Sequence, residues 1–204
     1  MKIIKYIGFL LLTGFGMSSY AQKTMNLPII QTKYTSDPAP VVHNDTIYLY
    51  TTHDEEEIQQ FQMQEWLLYT STDMVNWQDC GAIASLKDFK WCKTDNGAWA
   101  SQVVFRNNKW YMYCPILGQG IGVLVSSSPF GPFADPIGKP LVKVPDTWHD
   151  IDPTVFIDDD GQAYLYCGNE ITYSVKLNED MISLASDIYT HPDFEGYTEG
   201  PWLY

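Results

Sequence analysis

Basic residues are scarce in this chain. Its 204 residues include 12 Lys and Arg against 25 Asp and Glu, which gives a formal net charge of −13 at pH 7. A surface that acidic repels the phosphate backbone of DNA or RNA, so we expect no nucleic acid partner. Aromatic residues, by contrast, make up 15% of the chain. Tyr and Trp in that abundance suit both a packed core and stacking against uncharged rings.

Cysteine is also scarce. The chain has four cysteines, and none stands in a C-x-x-C or other metal-ligand spacing, so the sequence predicts no zinc site. Cys80 and Cys92 lie close enough in sequence to bridge in an oxidising compartment, and the sequence leaves that pairing open. Cys114 and Cys167 each follow a Tyr-x-Tyr segment, which predicts buried free thiols.

Long apolar runs are absent except near the N-terminus. Residues 6–17 are largely apolar, Lys2 and Lys5 precede them, and a short segment ending in the small residue Ala21 follows. This pattern is typical of a secretory signal peptide, and it is too short and wrongly flanked for a membrane span. We therefore predict a signal peptide over residues 1–21, a secreted or periplasmic mature domain over residues 22–204, and no membrane insertion.

Helical periodicity is weak, and only residues 54–64 suggest a turn of helix. What replaces it is a repeat: "DPAPVVHNDTIYLY" from residue 37, "WASQVVFRNNKWYMY" from residue 99 and "DPTVFIDDDGQAYLY" from residue 152. Each copy has a short apolar run, a polar turn and an alternating strand that ends in Tyr-x-Tyr. Asn, Asp and Gly in the turns tolerate the positive φ of tight hairpins. Each copy therefore predicts a β-hairpin, and "EGPWLY" from residue 199 resembles the start of a fourth.

The spacing of the copies predicts the architecture. They begin at residues 37, 99, 152 and 199, and residues 65–77, 120–133 and 171–184 read as further strand pairs between them. Four strands in roughly fifty residues are the unit of a β-propeller blade. The sequence thus predicts an all-β fold with three blades and the start of a fourth.

The residues at the heads of the copies are Asp37, Trp99, Asp152 and Glu199. Innermost strands of a propeller begin around one central channel, so these side chains would converge there. Each acid alone is more typical of a turn or a solvated loop, and Asp150 could share the role of Asp152. Together they would form a group of carboxylates that raise one another's pKa, so that one is protonated while another is ionised. Hydrolysis of a glycosidic bond needs one protonated and one ionised carboxyl group.

Four segments, "SDPAPVVHNDTIYLYTTHDE", "GAWASQVVFRNNKWYMYCP", "DIDPTVFIDDDGQAYLYCGN" and "YTEGPWLY", resemble glycoside hydrolase family 43, in particular its secreted α-L-arabinofuranosidases and β-xylosidases. The resemblance runs from about Leu27 to the last residue. It implies a five-bladed β-propeller, of which this chain would hold about three blades and the start of the fourth. An incomplete ring exposes sheet edges, so we expect the chain alone to be poorly active and prone to aggregate.

The resemblance also implies roles for the acids. Asp37 in "DPAP" matches the general base, Glu199 in "EGP" the general acid, and Asp152 in "IDP" the third acid that orients and modulates the general acid. The family inverts configuration, which implies that base and acid stand about 6.5–9.5 Å apart to admit a water. Trp99 would form a wall of the sugar pocket, and His53 and Asn169 could reach its rim as substrate-binding residues.

Members of the family often carry a central metal, commonly calcium, held partly by a His from a late blade; the sequence assigns no cofactor with certainty, and a complete chain could hold calcium in its central channel. The "DDDGQ" run from residue 158 does not supply an EF-hand, because Phe156 and Cys167 stand where acidic ligands would be needed. The expected function is removal of arabinofuranosyl or xylosyl units from plant polysaccharide such as arabinoxylan. An endo-arabinanase and a non-catalytic carbohydrate-binding propeller remain alternatives.

Overall fold

The computed structural model describes residues 27–56, 61–145, 147–192 and 194–203. The predicted signal peptide, and residues 57–60 of the expected helical turn, lie outside the described residues. Within them the secondary structure is β-strand, apart from one turn of 3-10 helix at Leu86–Asp88. Hence the all-β prediction is confirmed. No helix long and apolar enough to cross a membrane occurs in the described segments.

The first sheet contains four antiparallel strands, β1 (Ala39–His43), β2 (Thr46–Thr52), β3 (Glu65–Ser71) and β4 (Gln78–Ser85), in chain order. Asn44 and Asp45 join β1 to β2 with φ values of 48° and 58°. Positive φ at both central residues is the two-residue hairpin turn that Asn and Asp favour. The first predicted hairpin is therefore confirmed.

The second sheet contains β5 (Gln102–Arg106), β6 (Lys109–Ile116) and β7 (Gly120–Ser126). Asn107 and Asn108 form its hairpin turn, with φ values of 50° and 58°. The fourth strand expected after β7 is reduced to an isolated bridge between Val125 and Ala134. Pro129 and Pro132 interrupt this segment, and proline cannot donate a hydrogen bond to a ladder.

The third sheet contains β8 (Thr154–Ile157), β9 (Ala163–Asn169), β10 (Ile171–Leu177) and the short β11 (Tyr189–Thr190). The strand order is again the chain order, from β8 at one edge to β11 at the other. The turn between β8 and β9 is longer than the other two and places Gly161 at φ 86°. The third hairpin is confirmed as well.

Strand pairing fixes how the three hairpins correspond. Ala39 pairs with Tyr50, Gln102 with Tyr113, and Thr154 with Tyr166. Two residues before each first partner stand Asp37, Ala100 and Asp152. The prediction that Trp99 heads the second copy is therefore wrong by one residue, because Ala100 holds the register position of the two aspartates.

The sheets pack face to face, and their first strands lie side by side. Strand β1 contacts β5, and β5 contacts β8. One apolar cluster joins the first two sheets through side chains such as Tyr50, Trp66 and Met112. A second cluster joins the second and third sheets through Tyr113, Ile121 and Leu165, among others. All strand heads consequently open toward one common region of the molecule.

Equivalent tyrosines bind each sheet to the next. The Tyr50 hydroxyl donates a hydrogen bond to the Pro129 carbonyl at 3.0 Å, and the Tyr113 hydroxyl donates one to the Met181 carbonyl at 2.9 Å. Both acceptors follow the third strand of the neighbouring sheet. Burial raises the pKa of Tyr113 well above its usual range, which keeps this hydroxyl a donor.

The four cysteines are free thiols. The Cys92 sulfur donates to the Thr94 carbonyl at 3.3 Å, and the Cys80 sulfur lies 3.8 Å from the Thr70 hydroxyl. The pairing of Cys80 with Cys92 that the sequence left open is not formed. Cys114 and Cys167 are buried, as predicted.

Candidate active site

The heads of β1, β5 and β8 enclose a cavity of about 210 Å³. Residues 37–39, 100–101 and 152–153 contribute three sides of it, and residues 199–202 close the fourth. Asp37, Asp152 and Glu199, which are remote in sequence, therefore line the same cavity. Asp37 and Asp152 converge because the three first strands pack side by side, and the bridge to Asn169 places Glu199 beside them.

Asp37 is positioned by hydrogen bonds from Thr52 on β2 and from the preceding residue, Ser36. Its Oδ2 accepts hydrogen bonds from Thr52 Oγ1 at 3.3 Å and from Ser36 Oγ at 3.4 Å. Thr52 is fully buried, and the two hydroxyls lie 2.6 Å apart. Burial raises the pKa of Asp37, the hydroxyl hydrogen bonds oppose that rise, and the nearby charges of Asp54 and Glu199 add to it.

Asp152 repeats the position and the backbone of Asp37. The two aspartates have φ values of 54° and 52°, in the left-handed region that Asp tolerates better than most residues. Burial raises the pKa of Asp152 to about 7, and the charges of Glu199 and Asp37 contribute, against a hydrogen bond from the Gly200 amide. Asp152 is therefore a carboxyl group that titrates near neutral pH.

Glu199 is fixed by the end of the third sheet. The side-chain amide of Asn169 donates to Glu199 Oε2 at 2.6 Å, and the two residues form an isolated β-bridge. His149 was not singled out by the sequence; its Nδ1 lies 2.5 Å from the Asn169 carbonyl and donates to it. Asn169 thus contacts the predicted general acid and does not itself line the cavity.

His53 and Trp99 lie outside the lining of the cavity. The His53 Nδ1 donates to Glu65 Oε1 at 3.0 Å, at the end of β2. Trp99 accepts a hydrogen bond at its carbonyl from the Trp66 indole at 2.8 Å, and its ring meets the half-exposed ring of Trp148 edge-on at 6.5 Å. Contact of either residue with a substrate stays a prediction.

The described residues include no group of three or more His, Cys, Asp or Glu side chains arranged to hold a metal ion. Calcium in the channel of a complete chain stays a prediction, and no reaction step depends on it.

The arrangement suits acid–base chemistry. Asp37 Oδ2 and Glu199 Oε2 each accept a hydrogen bond from the protein. The carboxyl group of Asp152 is partly protonated near neutral pH. Carboxyl groups in one cavity with different proton affinities are what a general acid and a general base require.

Known proteins share both the sequence and the fold of this chain. Residues 25–204 match the profile described as Glycosyl hydrolases family 43. An arabinoxylan arabinofuranohydrolase of Bacillus subtilis is 32% identical over 76% of the chain, which spans 37% of that relative. A xylosidase/arabinosidase of Bacteroides ovatus is 33% identical over 72% of the chain, which spans 47% of that relative.

Solved structures agree with the sequence relatives. An α-L-arabinofuranosidase from Clostridium thermocellum superposes with a TM-score of 0.70 at 36% identity, over 84% of this chain and 60% of its own. A family 43 enzyme from Xanthomonas citri, in complex with xylotriose, superposes with a TM-score of 0.75 at 26% identity, over 87% of this chain and 65% of its own. The chain therefore belongs to glycoside hydrolase family 43.

Proposed function

We propose that the protein to which this chain belongs is an inverting glycoside hydrolase that removes pentose units, arabinofuranosyl or xylosyl, from a plant polysaccharide such as arabinoxylan. The observation that carries this proposal is the convergence of three acids on one cavity, with Asp37 and Asp152 at equivalent strand heads and Glu199 bridged to Asn169 at the end of β9. Relatives named arabinoxylan arabinofuranohydrolase and xylosidase/arabinosidase support the substrate class.

The reaction is a single displacement. Asp37 takes a proton from a water whose oxygen bonds to the anomeric carbon, while the bond from that carbon to the leaving oxygen breaks and Glu199 protonates that oxygen. Because Thr52 and Ser36 donate to Asp37 Oδ2, Oδ1 is free to face the water. Because Asn169 donates to Glu199 Oε2, the transferable proton belongs on Oε1.

Asp152 acts between these two groups. Its carboxyl is close enough to both that their charges help to raise its pKa to about 7. At lower pH Asp152 is neutral, and as pH rises it becomes a negative charge beside Glu199. Asp152 is thus the modulator of the acid rather than a reactant.

The proposed whole protein is a five-bladed propeller, secreted or periplasmic after removal of residues 1–21, with this chain as three blades and the start of the fourth. The chain spans less than half the length of the two curated relatives above, which supports further blades. Tyr166 supports them too. It holds the register position of Tyr50 and Tyr113, yet its hydroxyl has no hydrogen-bond partner within the described segments.

The test is hydrolysis of p-nitrophenyl α-L-arabinofuranoside and p-nitrophenyl β-D-xylopyranoside by the full-length protein expressed from its gene. Cleavage of either, with the inverted anomer of the pentose seen first by NMR, is the expected result. Cleavage of internal arabinan bonds instead would favour the endo-arabinanase alternative. Retention on insoluble polysaccharide without cleavage would show a binding module and refute the proposal.

A further inference from the structure

The second sheet presents different chemistry to the cavity from its neighbours. Strands β1 and β8 are headed by Asp-Pro, whereas the equivalent positions before β5 are Ala100 and Ser101. Ser101 thus takes the place of Pro38 and Pro153, and all three line the cavity. On this side of the cavity the polar group is a hydroxyl rather than a carboxylate.

The Ser101 hydroxyl has no hydrogen-bond partner among the described residues, although the residue is only 6% exposed. The neighbouring Gln102 has a protein partner at both polar atoms of its side chain: Nε2 donates to Thr154 Oγ1 at 3.1 Å, and Oε1 accepts from the Val155 amide. A buried hydroxyl without a partner destabilises a fold. Because this hydroxyl lies in the wall of the cavity that the three acids line, its lack of a protein partner points to a ligand.

The ionised carboxylates of the cavity cannot donate a hydrogen bond to a substrate, whereas a hydroxyl can. When ionised they only accept hydrogen bonds, and Asp37 Oδ2 and Glu199 Oε2 already accept from the protein. A sugar hydroxyl both donates and accepts. A serine hydroxyl can act as donor or acceptor toward such a group.

We propose that Ser101 is a specificity-determining residue, whose Oγ hydrogen-bonds one hydroxyl group of the pentose held between the three acids. This inference rests on the proposed function, since it names a contact of the same site. Ser101 takes no part in proton transfer.

The first test is Ser101→Ala in the full-length enzyme. Because the hydroxyl bonds to no described protein group, its removal leaves the unfolding midpoint unchanged or slightly higher, yet lowers kcat/KM for the preferred p-nitrophenyl pentoside about tenfold. The matched control is Thr51→Val. The Thr51 hydroxyl on β2 is likewise buried and unpartnered among the described residues but lines a separate recess with Ile30 and Leu49, so its removal also leaves the unfolding midpoint unchanged or slightly higher, while kcat/KM stays at the parent value.

The second test identifies the sugar hydroxyl. Inhibition constants of the product pentose and its monodeoxy analogues are compared in the parent and in Ser101→Ala. One analogue is expected to bind about tenfold more weakly than the pentose to the parent, and equally to the variant. Equal losses in both proteins for every analogue would overturn the inference.

The remaining outcomes separate the two proposals. A parent that cleaves the pentoside while Ser101→Ala keeps its kcat/KM within twofold overturns the role of Ser101 alone. A variant that loses unfolding midpoint together with activity shows a structural role and also overturns it. A parent that cleaves neither pentoside overturns the proposed function, and the inference with it.

Discussion

At the scale of single residues, the two aspartates at the strand heads serve both the backbone and the chemistry. Asp37 and Asp152 adopt φ values of 52° and 54°, which Asp, Asn and Gly accept with little strain. Alanine there would strain the backbone and remove the carboxylate together. Asparagine keeps the backbone tolerance and the hydrogen-bonding shape, so it isolates the loss of the ionisable group.

Asp37→Asn is therefore the sharpest test of the general base. We expect kcat on the pentoside to fall by about 10²–10⁴, because the amide cannot accept the proton of the attacking water. The control is Asp45→Asn, which makes the same change at φ 58° in an exposed hairpin turn. Unchanged unfolding midpoints in both variants would show that the fold is intact. Retention of kcat by Asp37→Asn would remove Asp37 from the mechanism.

Asn169 acts through Glu199, and its test depends on the leaving group. Loss of the 2.6 Å hydrogen bond in Asn169→Ala leaves the acid less well oriented. Release of p-nitrophenolate needs little protonation, whereas release of a sugar alkoxide needs it fully. We thus expect kcat on an unactivated pentose oligosaccharide to fall about 10- to 100-fold, and on the aryl pentoside only a few-fold.

The control for Asn169 is Asn178→Ala. The Asn178 amide also donates hydrogen bonds, but to Ser183 and Leu184 in an exposed turn. Its kcat on both substrates should match the parent. Equal losses on the two substrates in Asn169→Ala would instead indicate general damage to the cavity.

At the scale of strands and sheets, the repeated tyrosine is the feature with the clearest energetic consequence. Tyr113→Phe removes the donor to the buried Met181 carbonyl between the second and third sheets. We expect the free energy of unfolding in urea to fall by about 1–2 kcal/mol. Tyr166→Phe makes the same change at the equivalent strand position, where the hydroxyl binds none of the described residues, and should stay within about 0.5 kcal/mol of the parent. If the two variants of the isolated chain lost equal free energy of unfolding, the role of the Tyr113 hydrogen bond would be contradicted.

Part of the strand and turn structure could be predicted from the sequence. The hairpins and their Tyr-x-Tyr strands were predictable, because Asn-Asp and Asn-Asn turns specify local geometry. The fourth strand of the second sheet was not, since Pro129 and Pro132 reduce it to a bridge at Ala134.

The acids were predictable as a set because they recur with the hairpins. The head of the second copy was misplaced at Trp99, and the pairing of Gln102 with Tyr113 shows that Ala100 is the equivalent residue. His149 and Thr52 carry no sequence signal of their own. Their contacts with Asn169 and Asp37 exist only after distant segments pack together.

At the scale of the whole molecule, the cluster of acids makes stability depend on pH. The pKa of Asp152 rises from 3.8 in the unfolded chain to about 7 in the fold. The folded state therefore binds the proton more tightly than the unfolded state between these values. Its stabilising contribution is fully present below pH 4 and is lost as pH rises through 7. Burial raises the pKa of Asp37 as well, which adds a slope of the same sign.

Asp152→Asn tests this linkage, because asparagine remains neutral at every pH and tolerates φ 54°. A shift from 3.8 to about 7 corresponds to about 4 kcal/mol at most. We therefore expect the variant and the parent to have similar free energies of unfolding at pH 4, and the variant to be more stable by up to that amount at pH 8. Urea titrations across this range, with Asp45→Asn as a control that follows the parent curve, measure the difference. A constant difference between pH 4 and pH 8 would mean that Asp152 is not the group that titrates near neutrality, and the cavity would then lack the modulator that the proposed mechanism assigns to it.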